Sequence, residues 1–195
     1  IFVIGLILFI ALISYSPSDP NFIFPDNTTI KNLLGFQGSY TSDLFFQSVG
    51  LISFLIPVSL IFTGINIFKK KEIFLLIENT FFIIIYSIVG SLFFNVFYDS
   101  SYDLYINGNG GFVGNYVGGE VLKNYLINYK NLSYYFLIIL TLFFFLVSIN
   151  FNLKNFIETL KKVSKIILNK KTKNYTNKNE IINEYIPQEE IKNLI

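Results

Sequence analysis

The residue that first invites a chemical reading is Glu78, an acid set inside a long apolar stretch. A carboxylate in hydrocarbon is costly, and its default reading is functional, as a proton or ion relay. Its position favours a plainer role. Glu78 follows Lys69-Lys70-Lys71-Glu72 by only a few residues, so it can reach the membrane surface or a lysine. An interfacial ion pair is therefore preferred to a relay. Asn66, Asn79 and Asn95 also fall near the ends of apolar stretches. They are expected to meet headgroups or to bond a neighbouring helix rather than to line a pore. Asp99 and Asp103 could meet a cation, but two acids without an organised oxygen cage read better as solvated loop acids. Gly108-Asn109-Gly110-Gly111 is rich in glycine, yet no lysine and hydroxyl follow it. A phosphate loop needs both, so nucleotide binding is rejected. The chain contains no histidine and no cysteine, which removes the commonest general base, thiol chemistry and thiolate metal sites. No catalytic, cofactor-binding or metal-binding residues are assigned.

The elements around these residues are apolar spans. Hydrophobic residues make up 52% of the 195 positions and charged residues only 14%, too little charge for a soluble domain of this size. Residues 44–68, 73–98 and 132–150 are uninterrupted enough to cross a bilayer, and 1–15 resembles the end of another span. Lipid cannot satisfy a bare backbone, so each must close its own hydrogen bonds as a helix. The expectation is an all-α membrane domain over 1–150, with four transmembrane helices and outer loops at 16–43 and 99–131. The first helix is short of the roughly 20 residues a span needs. With no methionine present to initiate the chain, the reading expects a few residues upstream. A signal peptide is the rival reading. It is disfavoured because no small-residue cleavage pattern follows, whereas Ser16-Pro17-Ser18-Asp19-Pro20 reads as a helix stop.

Lysines orient the spans. Three sit at Lys69–Lys71 and nine follow Asn150, so twelve of the 15 lie in two segments, while the longer loops hold Lys31, Lys123 and Lys130. Positive segments stay in the cytoplasm, which puts both termini inside and both long loops outside. Within the second span Gly50, Pro57 and Gly64 recur every seven residues on one face. The proline is expected to kink the helix near Ser53, and the glycines to admit a neighbouring helix. The outer loops echo each other: Gly35-Phe36-Gln37-Gly38-Ser39-Tyr40 and Gly111-Phe112-Val113-Gly114-Asn115-Tyr116 share Gly, Phe, Gly and Tyr at a spacing of 76 residues. Two parallel copies of a helical hairpin would produce such an echo. Over 151–170, Leu153, Phe156, Ile157, Leu160, Val163 and Ile167 share one helical face and Lys154, Lys161, Lys162 and Lys165 the other. That pattern suits an amphipathic helix on anionic lipid, with a stalk helix as the alternative. Residues 171–195 read as the start of a flexible cytoplasmic linker.

One pattern covers about residues 1–150. Ser16, Asp19 and Pro20 close the first helix; Asn32, Gly35, Gly38 and Asp43 form an Asn…Gly-x-x-Gly…Asp run; Gly50 and Pro57 follow; Gly111 and Gly114 precede the last span. The arrangement resembles the N-terminal four-helix membrane domain of FtsK/SpoIIIE-type DNA translocases. Phe, Ser and Ile stand where that family has tryptophan and alanine. The resemblance implies an inner-membrane anchor at the division septum, tethering an ATP-driven motor that moves chromosomal DNA. It also implies a hexamer, division-site membrane partners beside the lipid bilayer, and DNA contact only through the motor. ATP and Mg are expected only in that missing downstream motor, with no cofactor in this segment. By the same resemblance the named motif positions are structural, and this segment is no enzyme. The alternatives are a small transporter or channel subunit, for which Glu78 offers the only start, and a scaffold recruiting partners through its outer loops.

Overall fold

A computed structural model describes residues 1–21, 29–98, 107–152, 154, 157–158 and 161–165. Asp26, Asp99, Asp103 and the linker at 171–195 lie outside the described residues, as do Leu153, Phe156, Leu160 and Ile167 of the amphipathic face. The chain divides into a unit over Ile1–Phe151 and a second over Asn152–Ile195. In the second unit the described positions from Lys154 to Lys165 are helical, and Ile157 and Val163 are exposed.

The first unit is all-α among its described residues. Helix α1 covers Phe2–Ile13, α2 Gly35–Val49, α3 Leu55–Lys70, α4 Leu75–Phe97, α5 Gly111–Val117, α6 Glu120–Asn128 and α7 Lys130–Ser148. A turn of 3-10 helix over Gly50–Phe54 joins α2 to α3. Three helical stretches are long and apolar enough to cross a membrane: Gly35–Lys70, Leu75–Phe97 and Lys130–Ser148. The shorter apolar Phe2–Ile13 stands beside them. This is a four-helix membrane architecture.

The outer segments hold more helix than hydropathy suggests. The second helical stretch starts at Gly35 rather than at residue 44, and α5 and α6 lie within the expected loop at 99–131. Turn chemistry sets the start at Gly35. Asn32 Oδ1 accepts the Leu34 N–H at 3.1 Å, the Asn32 carbonyl accepts the Gly35 N–H at 2.9 Å, and Gly35 takes φ 64°. Polar residues that look like loop are then buried along α2: Ser39, Ser42 and Asp43.

The break in this stretch is also placed differently. It begins at Gly50, with φ 71° and ψ −148°, a conformation essentially reserved for glycine. Pro57 is instead the third residue of α3, in a first turn whose N–H groups have no helical partner in any case. The proline expected to kink the helix near Ser53 therefore sits after the break, and Gly50 makes it. The break is needed on length grounds. A straight helix of 36 residues would reach roughly 54 Å, against a hydrocarbon core of about 30 Å.

Helix packing fixes which ends meet. Gly5 and Gly64 bring α1 against α3: a Cβ on Gly64 would stand 2.7 Å from the Phe2 backbone nitrogen, and one on Gly5 3.0 Å from the Pro57 carbonyl oxygen. Aromatic pairs join α4 to α7 antiparallel, with Phe82–Phe144 at 6.1 Å, Tyr86–Phe145 at 5.8 Å and Phe93–Tyr134 at 5.3 Å between centroids. Leu8, Leu12, Phe46, Ile52, Ile56, Ile83 and Tyr86 form the main core. Phe2, the turn after Lys70, and Asn150 consequently share one end of the bundle, since Asn150 bonds Asn79 in the first turns of α4. The described parts of the chain's two long connections occupy the other end.

Candidate functional site

Two polar latches hold the end of the bundle opposite the lysine cluster. In the first, Asp19 is nearly fully buried, and its carboxylate accepts the backbone N–H of Lys31 at 3.0 Å and of Asn32 at 2.8 Å. The Ser16 carbonyl in turn accepts the Asp19 N–H at 3.1 Å, and the Ser16 hydroxyl lies 2.9 Å from that of Ser18. Asn32 donates from Nδ2 to the Ala11 carbonyl at 2.9 Å, tying the loop to the last turn of α1. Ser39 donates to the Pro20 carbonyl at 2.6 Å, and Tyr15 to the Asp43 carboxylate at 3.3 Å. Gly38 is the floor on which Asn32 lies, since a Cβ there would overlap the Asn32 side chain. Seven of the motif positions therefore meet in one cluster: Ser16, Asp19, Pro20, Asn32, Gly35, Gly38 and Asp43. Their chemistry is the satisfaction of backbone groups in a loop that crosses the end of a helix pair.

The second latch joins the two hairpins. The Asn109 carbonyl accepts the Leu51 N–H at 3.0 Å, directly after the Gly50 break. Ser91 donates to the Val49 carbonyl at 2.8 Å, and Asn107 Nδ2 to the Gln47 side-chain carbonyl at 3.2 Å. Asn95 Nδ2 donates to Asn115 Oδ1, and Asn109 Nδ2 to the Tyr98 carbonyl. Gly111 and Gly114 permit these approaches: a Cβ on Gly111 would stand 2.5 Å from the Gly50 nitrogen, and one on Gly114 2.5 Å from the Ser91 carbonyl oxygen. Pro57 belongs to neither latch.

The two glycine sextets adopt one geometry. Each opens a helix with its first glycine at positive φ, 64° at Gly35 and 63° at Gly111. In each, that glycine's N–H bonds the carbonyl three residues back, Asn32 at 2.9 Å and Gly108 at 3.2 Å. The second glycine packs on an asparagine side chain, Asn32 for Gly38 and Asn95 for Gly114. The Phe and Tyr pair on the surface, at 4.1 Å for Phe36–Tyr40 and 6.0 Å for Phe112–Tyr116. The domain is thus two like hairpins: α1 with α2 and α3, then α4 with α5, α6 and α7.

Toward the lysine end, polar side chains join three helices. Ser59 lies 3.0 Å from the Tyr86 hydroxyl and 2.9 Å from that of Ser148. Asn79 donates to Thr63 at 2.9 Å and accepts from Asn150 at 2.7 Å, while Asn66 donates to the Ile149 carbonyl at 3.0 Å. Asn66, Asn79 and Asn95 all bond neighbouring helices, which is how polar groups act as glue in a bilayer. Sequence reasoning missed Ser59, Thr63, Ser91 and Ser148. Their signal was present, as small hydroxyl residues interrupting apolar stretches. Asn79→Ala is expected to lower the stability of the purified protein by about 0.6–1.7 kcal/mol. The check is its thermal unfolding in detergent by circular dichroism.

Glu78 is exposed in the first turn of α4, at the end that carries Lys69–Lys71. A carboxylate there faces the positive end of the helix dipole, which favours it modestly. Glu78→Gln is accordingly expected to move stability by no more than about 0.5–1 kcal/mol. Unfolding midpoints of the two proteins measured side by side test this. Among the described residues no three acids come together as a cation cage would require.

Comparison with known proteins agrees with this architecture. Residues 1–161 match the family described as the 4TM region of DNA translocase FtsK/SpoIIIE. The chain is 31% identical over 146 residues to DNA translocase FtsK of Rickettsia bellii, covering 74% of this chain and 18% of that protein. It is 39% identical over 66 residues to the same protein of Rickettsia prowazekii, covering 34% and 9%. For Shewanella oneidensis the identity is 28% over 130 residues, covering 66% and 14%. The chain thus spans less than a fifth of the length of these relatives. No solved structure matches. A membrane bundle of three long apolar helices and a shorter one, together with a family match over residues 1–161, means that this chain belongs to the family of FtsK/SpoIIIE four-helix membrane domains.

Proposed function

We propose that this chain is the membrane anchor of a cell-division DNA translocase, holding a downstream ATP-driven motor at the septum. The observation that carries the reading is the meeting of Phe2, Lys69–Lys71 and Asn150 at one end of the bundle. Positive charge retained in the cytoplasm puts that end inside, so whatever follows Asn150 leaves on the side of the chromosome. The basic helix beyond it would lie on anionic headgroups. In this reading the segment itself binds lipid, its own copies in a hexamer, and other division-site membrane proteins. DNA, ATP and Mg are met only by the motor, and no residue here has a catalytic role. Ser59, Asn66, Asn79, Ser91 and Asn95 support an anchor over a channel, because each of them bonds a neighbouring helix or its end.

The test is a fluorescent protein fused after Ile195 and expressed in dividing bacteria that carry an FtsK of this kind. A fluorescent band at mid-cell, with the fluorophore protected from external protease in spheroplasts, is expected. An even signal around the envelope would refute septal anchoring, and a fluorophore cut by external protease would refute the orientation.

A further inference from the structure

A polar clamp closes the point where the chain leaves the bundle. Helix α7 ends at Ser148, and Asn150 takes φ 52°. This left-handed backbone is one that asparagine tolerates better than most residues, and glycine better still. The Phe151 N–H bonds the Leu146 carbonyl at 3.0 Å, and the Asn150 N–H bonds the Val147 carbonyl at 2.9 Å. That pair of bonds closes a helix end most often with glycine at the left-handed position. For the turn alone, glycine would serve better than asparagine. What asparagine adds is its side chain, whose Nδ2 donates to Asn79 Oδ1 on α4 at 2.7 Å.

Other bonds reach the same end of α7 from α3. Asn66 donates to the Ile149 carbonyl at 3.0 Å, one of the carbonyls that a helix end leaves without an internal partner. The Ser148 hydroxyl donates to the Phe145 carbonyl at 2.7 Å. Its one proton is thereby used, so Ser59 is the donor in their 2.9 Å contact. Asn79 in turn donates to Thr63 of α3 at 2.9 Å. Three successive residues, Ser148, Ile149 and Asn150, are thus each tied to another helix. Ser59, Thr63, Asn79 and Ser148 are buried, which keeps water from competing for their bonds.

We propose that this cluster is a load-bearing exit, passing a pull on residues 152–195 from Ser148–Asn150 to α3 and α4 instead of leaving it to α7 alone. The inference rests on the anchor reading, which supplies the load. A helix pulled from an untied end unwinds turn by turn, because each turn is held only by its own hydrogen bonds. Tied at its last turn, α7 holds until its bonds to two neighbours break together. The neighbours α3 and α4 belong to different hairpins, so the pull is spread over both halves of the domain.

The chain contains no cysteine, so one added after Ile195 gives a single handle. The full 195-residue chain in a supported lipid bilayer is pulled by that handle at constant force in an atomic force microscope. In the unchanged protein α7 is expected to leave the bilayer in one step. Asn150→Gly keeps the turn and removes only the side-chain bond to Asn79. It should shorten the time to that step about three- to tenfold at the same force. Asn79→Ala should shorten it at least as much, and adding Asn150→Gly to Asn79→Ala should shorten it no further, since both changes break the same bond. Ser91→Ala removes a bond to the Val49 carbonyl at the other end of the bundle and should leave the time unchanged. An unaltered time in Asn150→Gly, or an equal shortening in Ser91→Ala, would overturn the proposal. Neither septum nor motor takes part, so failure here would leave the anchor reading to its own test.

Discussion

Gly50→Ala is expected to prevent the bundle from folding, whereas Gly35→Ala is expected to be tolerated. Both glycines have positive φ, 71° and 64°. Gly50 combines it with ψ −148°, a region in which a non-glycine residue costs of order 1–3 kcal/mol. A Cβ there would also run into the Asn109 carbonyl oxygen at 2.0 Å and its carbon at 2.6 Å. Those atoms are backbone and belong to the bond from Leu51 that joins the hairpins, so they cannot swing aside. Overpacking of this kind adds about 1–3 kcal/mol. The sum is a large part of the stability of a marginally stable domain. At Gly35 the left-handed backbone alone is at issue, at about 1–2 kcal/mol, since the space around it is open. Expression followed by gel filtration of fluorescently tagged protein in detergent tells the two apart. A monodisperse Gly35→Ala peak beside an aggregated or absent Gly50→Ala peak is the expected pair. Equal behaviour of the two variants would contradict the role given to Gly50.

Asp19→Ala is expected to be the most damaging change of a side chain in the first latch. It removes the acceptor of two backbone N–H groups, a buried one on Asn32 and a part-buried one on Lys31. An orphaned buried donor costs about 1–3 kcal/mol, and the part-buried one can recover some of that from water, so the variant should lose roughly 1–4 kcal/mol in all. Asp19→Asn keeps one carbonyl oxygen but sets an NH2 group against the second N–H, and it should fall between wild type and alanine. Local damage should precede global unfolding, because Asn32 also holds the Ala11 carbonyl at the end of α1. Hydrogen exchange at the amides of Lys31 and Asn32 gives the readout. Protection that survives in Asp19→Ala would exclude this account of the latch.

Much of the fold was legible along the chain because it rests on one strong physical signal. Three long apolar stretches must be helices in lipid, and α4 and α7 fall within two residues of the ends that hydropathy suggests. The start of α2 was not legible. Gly35–Asp43 is polar and glycine-rich, and hydropathy reads it as loop. Its start follows a turn in which Asn32 Oδ1 accepts the Leu34 N–H and the Asn32 carbonyl the Gly35 N–H, with Asp19 holding the Asn32 N–H and the Pro20 carbonyl accepting the Ser39 hydroxyl. Pro57 misled in the opposite sense: the rule that proline breaks a helix holds for its interior, and here proline lies in a first turn.

The order of spans, the clustering of lysines and the repeated glycine sextet were determined by the sequence alone, since each depends on residue type and spacing. Which atoms the polar residues meet was decided only in three dimensions. Asp19 and Asn32 are 13 positions apart, Asn79 and Asn150 are 71, and Ser59 and Ser148 are 89. A hydrogen bond needs its partners within about 3 Å, and only the packing of α1, α3, α4 and α7 brings groups that distant in the chain to such separations. The same packing sets Gly111 against Gly50 and Ser48 and leaves the space around Gly35 open, a difference that the four residues shared by the two sextets do not contain.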